Sequence, residues 1–170
     1  PAALAARAGV RVQWRLVARS GATSRQCLDM LAAEPPFEAD VAVAVLGVND
    51  VVEQQPSHHA VAAREAIANR LRNAHAIGHV VFAPLPPVHR FPGLPQPLRW
   101  VAGRDARRLD QAVAQWAATR DDVSHVPIDL PLNPALMAPD GFHPGEVVYR
   151  VCGTALAEHI ADVVWPRLRG

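Results

Sequence analysis

Two residues three positions apart, Asp140 and His143, have the types and spacing needed for proton transfer. They lie in the sequence PDGFHP, residues 139–144. A carboxylate beside an imidazole can fix the tautomer of the ring and stabilise its protonated form. A loop aspartate that caps a turn beside a surface histidine would have the same spacing. The motif therefore predicts an acid–base pair, with an ordinary loop as the alternative.

Two possible hydrogen-bond donors follow predicted strands, at Gly21 and Asn49. Gly21 lies in the turn at residues 20–24, where the lack of a side chain would let its backbone N–H approach a ligand closely. Asn49, in the sequence LGVND, could direct its amide across the edge of a sheet. Gly21 could instead be a plain turn residue, and Asn49 and Asp50 could simply turn the chain.

The elements that must position these residues alternate along the chain. Alternation of helices with short apolar strands predicts a parallel sheet covered by helices on both faces. The capping-box pattern of Thr23 and Gln26 marks one helix start. The predicted order is a helix end at Gly9, strand 10–18, helix 24–33, strand 41–48, loop 49–59, helix 60–76, strand 79–85, loop 84–97, helix 105–119, a short strand within 123–130, loop 131–144 and helix 146–168.

Together the three motifs resemble those of the SGNH (GDSL-like) hydrolase family, and they occur in the family's order. The resemblance implies a three-layer α/β/α fold with a flavodoxin-like sheet of order 2-1-3-4-5. It also implies a serine-type hydrolase of carboxylic acyl esters. Gly21 and Asn49 would be oxyanion donors, and Asp140 and His143 would be the acid–base pair.

The family's first motif, Gly-Asp-Ser, has no match in this chain. Four serines are present, at positions 20, 24, 57 and 124, and none has the expected context of a nucleophile. We therefore expect residues 1–170 to be a single domain of this kind that lacks its N-terminal strand and most of its first helix. An upstream stretch of about 30–45 residues would supply both, together with the serine.

A proline-rich loop at residues 88–100 predicts one wall of an acyl pocket. Phe91, Leu94 and Trp100 are its candidate contacts, and the alternative is a packed surface loop. We expect the substrate to be a short or medium acyl ester, because a domain of this size leaves little room for a deep lipid tunnel.

Composition narrows the classes of function. The formal net charge of +1 gives no field that would favour nucleic acid, and no apolar run approaches the roughly 20 residues of a membrane span. Cys27 and Cys152 are expected to be buried free thiols. The expected partners are thus a small acyl ester and the missing N-terminal segment.

Three alternatives compete with the esterase interpretation. The first is a binding module that kept the pocket but lost the nucleophile. A nucleotide or flavin binder is disfavoured because no glycine-rich phosphate loop is present. A metal hydrolase is disfavoured because His58–His59 and His75–His79 have no third ligand at a convincing spacing. We therefore expect neither a cofactor nor a metal.

Overall fold

A computed structural model of the protein describes residues 1–131 and 133–170. Seven α-helices and three strands lie in this part of the chain. In chain order they are α1 (Ala2–Ala8), α2 (Ser24–Ala33), β1 (Val41–Ala44), α3 (Val48–Val52), α4 (Ser57–His75), β2 (His79–Phe82), α5 (Leu98–Ala117), β3 (Val123–His125), α6 (Glu146–His159) and α7 (Trp165–Arg169). Short 3₁₀ turns occupy Val88–Arg90 and Pro134–Leu136, and a π turn at Ile160–Val164 joins α6 to α7.

The three strands form one parallel sheet in the order β1-β2-β3. Val43 of β1 pairs with Val81 of β2, which in turn pairs with Ser124 of β3. Every residue of the central strand is buried, as expected for an apolar run in a parallel sheet that is covered on both faces. The alternation of helices and strands along the sequence therefore predicted these three parallel strands correctly.

Helices cover both faces of the sheet and so create three layers. On one face α2, α4 and α5 enclose the larger core cluster, which contains Ile67, Phe82 and Val113. On the other face Val81 meets Leu156 and Val164 near the C-terminal helices. Full burial of an aliphatic side chain of this size contributes about 1.5–3 kcal/mol. The two clusters hold the sheet and its covering helices together, and the candidate motifs lie before α2, at α3 and on the loop before α6.

The start of α2 has the capping box that the sequence predicts. Thr23 Oγ1 accepts a hydrogen bond from Gln26 N at 3.3 Å, and Gln26 Oε1 accepts one from Thr23 N at 3.0 Å. These reciprocal bonds satisfy two backbone donors that a helix start leaves free. The predicted helix end at Gly9 is also confirmed, with a left-handed φ of 65°.

The predicted strand at residues 10–18 is wrong. The segment is irregular, and Trp14 and Leu16 are exposed. A strand requires a hydrogen-bonded neighbour, and β1 pairs only with β2 among the described residues. Side-chain contacts hold the segment instead: Arg15 pairs with Glu34 and lies over the ring of Phe37.

Several further boundaries differ from the prediction. The strands predicted at 41–48 and 79–85 end at Ala44 and Phe82, and the helix predicted at 146–168 is divided by the π turn. The predicted loop at 49–59 contains α3 and the first turn of α4. Helix α5 begins at Leu98 and not at 105, because the prolines before it sit where a helix needs no backbone donor. Pro95 and Pro97 supply carbonyl oxygens to Arg99 N and Val101 N.

Among residues 1–131 and 133–170, no helix has the length and apolar character needed to span a lipid bilayer.

Candidate active site

Asp140 and His143 form a direct hydrogen-bonded pair on the loop before α6. His143 Nδ1 donates to Asp140 Oδ2 at 2.5 Å, and the backbone N–H groups of Phe142 and His143 donate to Asp140 Oδ1 at 2.9 and 3.0 Å. The carboxylate thus fixes both the ring and the turn that carries it. With Nδ1 occupied, Nε2 is the ring nitrogen left to exchange a proton with another group.

The loop is itself held by two backbone contacts. Gly141 has a φ of 65°, which is a left-handed conformation that glycine adopts without steric cost. Its carbonyl oxygen accepts a hydrogen bond from Gly93 N at 2.9 Å. Met137 and Pro144 form an isolated antiparallel bridge at the base of the loop. These contacts place the pair between the Gly93 loop and the start of α6.

Hydrogen bonds set the charge state of Asp140. The bond from His143, aided by the two backbone donors, lowers the pKa of the Asp140 carboxyl from 3.8 to about 2. The carboxylate is therefore ionised at neutral pH and can hold the imidazole. The side chains of His143 and Asp140 are 58% and 50% exposed, so the pair is open to a ligand.

We expect Asp140 to titrate near pH 2 in carboxyl-detected NMR, and the midpoint to rise in His143→Ala. The substitution removes the largest cause of the shift but leaves the two backbone donors, so the pKa should return only part of the way to 3.8. Because the folded pKa is depressed, the stabilisation by this contact is present above about pH 4 and is lost as the pH falls towards 2. An unchanged midpoint in His143→Ala would contradict the assigned contact.

Gly21 lies in a turn before α2, Asn49 lies in α3, and the two segments contact each other. Asn49 Nδ2 donates to the carbonyl oxygen of Ala22 at 3.0 Å. Gly21 has a φ of 77° and open space beside it. An amide nitrogen carries two hydrogens, so the bond to Ala22 leaves a second Asn49 N–H available. The structure therefore brings the two predicted donor positions into one substructure.

A buried polar network of Asp50, Ser24 and Arg64 adjoins these donors, and the sequence patterns did not predict it. Asp50 Oδ1 accepts from Ser24 N at 2.8 Å, while Oδ2 accepts from Ser24 Oγ at 2.5 Å and from Arg64 Nη1 at 3.3 Å. Asp50 is 2% exposed and Arg64 is 1% exposed. Burial lowers the pKa of the Arg64 guanidinium, and the Asp50 carboxylate opposes that shift.

Gly47 makes room for this network. An added Cβ at Gly47 would lie 2.6 Å from Arg64 Nη2 and 2.8 Å from Leu85 Cδ1, and the residue has a φ of 122°. Glycine is the only residue that fits both limits. Three residues of the sequence GVND therefore have identifiable structural roles. Gly47 leaves space for the Arg64 guanidinium, Asn49 donates a hydrogen bond to Ala22 O, and Asp50 binds Ser24 and Arg64.

The two halves of the predicted site are not joined by hydrogen bonds. Within residues 1–131 and 133–170, the Asp140–His143 pair has no such bond to Gly21 or Asn49. No serine is bonded to His143 either. Ser24 binds Asp50, Ser124 Oγ lies 2.8 Å from His79 Nε2, Ser57 opens α4, and Ser20 lies in an exposed turn.

The residues predicted for the acyl pocket differ in exposure. Phe91 is 1% exposed and packs edge-to-face on Phe142, with ring centroids 5.4 Å apart. Leu94 is half-buried against the core, whereas Trp100 is 59% exposed. An open cleft of about 410 Å³ adjoins Asp140, and its lining comprises Pro92, Gly93, Pro134, Met137, Ala138, Pro139, Asp140 and Gly141. None of the three predicted pocket residues lines this cleft.

In the described part of the chain, no group of three or more His, Cys, Asp or Glu side chains is arranged to hold a metal ion. Cys27 and Cys152 are half-buried free thiols, and burial raises the pKa of each.

The layered parallel sheet is that of the SGNH hydrolase fold. The model of the GDSL-like Lipase/Acylhydrolase family matches residues 1–151. The chain belongs to the GDSL-like lipase/acylhydrolase family.

Solved structures show the same fold at low sequence identity. A protein from Streptococcus pneumonia, provisionally described as a platelet activating factor, is 20% identical with a TM-score of 0.69, over 82% of this chain and 69% of that one. A carbohydrate esterase family 3 protein from Talaromyces cellulolyticus is 15% identical with a TM-score of 0.58, over 88% and 70%. No curated protein matches the chain.

Proposed function

We propose that residues 1–170 carry the acid–base pair and two oxyanion donors of a serine-type carboxylic ester hydrolase. The observation that supports this proposal most strongly is the hydrogen bond between His143 Nδ1 and Asp140 Oδ2. It leaves Nε2 as the proton-accepting atom, on a pair whose Asp140 lines an open cleft. Membership of an acylhydrolase family supports the reaction class.

In the proposed reaction, His143 Nε2 takes the proton of a serine hydroxyl while the serine oxygen bonds to the acyl carbon. The electron pair of the carbonyl moves to its oxygen, where Gly21 N–H and the second Asn49 N–H donate to it. Each such donor commonly contributes about 3 kcal/mol to lowering the barrier. The C=O bond then re-forms while the bond from the acyl carbon to the leaving oxygen breaks, and His143 gives its proton to that oxygen, which leaves an acyl-serine. Water then adds to the acyl carbon with His143 as the base, and the serine oxygen departs with the proton from His143 to release the acid.

The serine in this scheme would come from a segment outside residues 1–170. The contacts of the four serines support this, because Ser24 and Ser124 are engaged elsewhere and none is bonded to His143 in the described structure. The outer edge of β1 offers a place for an added strand, since its backbone groups face no strand among the described residues. Val43 and Val45 are exposed there.

A binding module without a nucleophile is the second candidate. The same serine contacts favour it, because the pair and the donors would still form a polar site for an ester or an acid. The substrate of the hydrolase and the ligand of the binding module would both carry an acyl group. We propose a short or medium acyl chain, because a domain of this size leaves little room for a deep lipid tunnel.

Covalent labelling distinguishes the two candidates. We expect the protein expressed from its complete reading frame to gain one adduct with a fluorophosphonate probe, measured by intact-mass spectrometry. Peptide mapping should place the adduct on a serine outside residues 1–170. A protein that stays unlabelled while its fold is intact would reject the hydrolase and favour the binding module.

A further inference from the structure

The Asp50 carboxylate is tied to two separate elements of the fold. Ser24 binds both of its oxygens from the start of α2, and Arg64 binds one of them from the middle of α4. The carboxylate and the guanidinium are almost completely buried. Hydrogen bonds to an ionised carboxylate are shorter and stronger than those between neutral groups, and the two bonds from Ser24, at 2.8 and 2.5 Å, are of this short kind. Asp50 is therefore a fixed point in this region.

Asn49 immediately precedes Asp50 in the chain, and its own helix cannot hold it. Helix α3 has only five residues, which is too short to be stable without tertiary contacts. Its contacts to the Gly21 loop are the bond from Asn49 to Ala22 O and the bonds from Ser24 to Asp50. The turn that carries Gly21 and helix α3, which carries Asn49, are thus both held next to Asp50.

We propose that Asp50, fixed by Ser24 and Arg64, is a positioning residue that holds the Asn49 amide and the Gly21 loop in register. The inference rests on the proposed function, in which these two groups stabilise the oxyanion. Asp50 itself is buried and acts through Asn49. A displacement of about 1 Å at a reacting centre can cost about 100-fold in rate, so an anchor of this kind should affect turnover.

Ser24→Ala tests the anchor, and Ser124→Ala is its matched control. Each substitution deletes one serine hydroxyl that makes a single side-chain hydrogen bond, to Asp50 or to His79. Both should lower the melting temperature slightly. In the protein expressed from its complete reading frame, we expect Ser24→Ala to lower kcat for a p-nitrophenyl ester by about tenfold with KM within about twofold, because oxyanion donors act mainly in the transition state. Ser124→Ala should leave kcat within about twofold.

A second measurement does not depend on turnover. The side-chain amide of Asn49 should give a ¹H–¹⁵N pair in which one proton exchanges slowly, because it is bonded to Ala22 O. Ser24→Ala should shift that pair and speed the exchange, whereas Ser124→Ala should leave it in place. If the Asn49 signals are the same in both variants, Asp50 does not position the amide and the inference is overturned, whether or not the protein hydrolyses esters.

The outcomes also separate this inference from the proposed function. Full activity in His143→Ala would reject the hydrolase assignment alone, since the Asn49 signals would still report the anchor. Loss of activity in His143→Ala, with equal kcat in Ser24→Ala and Ser124→Ala, would reject only the positioning role.

Discussion

Substitution of His143 by alanine is expected to lower kcat for ester hydrolysis by about 10⁴-fold or more in the protein expressed from its complete reading frame. The imidazole is the only group in the proposed scheme that moves the proton of the nucleophile to the leaving group. Removal of the base from a triad typically costs 10⁴–10⁶-fold in kcat, and the oxyanion donors sustain only the residual rate. Steady-state kinetics with a p-nitrophenyl ester would measure the loss.

His58→Ala is the control for this substitution. His58 is also exposed, and its described ring contact is with His59 at the start of α4. We expect its kcat to stay within about twofold of the unmodified protein. Comparable activity in His143→Ala and His58→Ala would remove His143 from the reaction.

The largest effect on stability is expected from Asp50→Ala. The substitution leaves the Arg64 guanidinium buried without its carboxylate, and Arg64 Nη2 already has no partner within the described structure. Removal of one member of a buried ion pair typically costs about 3–5 kcal/mol. Urea denaturation followed by circular dichroism should show this as a lower midpoint with little change in slope.

A second substitution tests whether the loss of stability comes from the unpaired Arg64 charge. Asp50→Ala with Arg64→Met removes the uncompensated charge, so we expect the double variant to be more stable than Asp50→Ala alone. Asp121→Ala, at an exposed carboxylate, should change the free energy of unfolding by no more than about 0.5 kcal/mol. If Asp50→Ala were as mild as Asp121→Ala, the ion pair would not be a structural element.

Elements with strong local signals were predictable from the sequence. Helix α2 has the predicted bounds because Thr23 and Gln26 specify its start and Pro35 follows its end. The central strand β2 was predictable because an apolar run with no polar alternation suits a sheet covered on both faces. In both cases the information lies within a few adjacent residues.

Elements that depend on distant partners were not predictable. The alternation at residues 10–18 favours a strand, but strand formation requires a neighbour that the local pattern does not report. Arg64 resembles any other arginine of an alanine-rich helix, and only the tertiary fold places it against Asp50. Helix α3 was missed because asparagine and aspartate are typical of turns.

In the candidate site, too, contacts within one loop were predictable and contacts between distant segments were not. The contact between Asp140 and His143 follows from their spacing on one short loop. The contact between Asn49 and Ala22 joins segments that are 27 residues apart, and the segment expected to form a strand before Gly21 is irregular, so no local pattern predicts this bond. The arrangement of the donors relative to His143 remains a prediction.

The exposure of the Asp140–His143 pair has a consequence for how strongly the two groups can interact. Charge pairs near a protein surface interact as if the dielectric constant were about 20, and the value falls further where water is excluded. A ligand or chain segment that covers the pair would therefore strengthen the attraction between the carboxylate and a protonated imidazole at an unchanged distance. The strength of this attraction thus depends on the molecule that binds there.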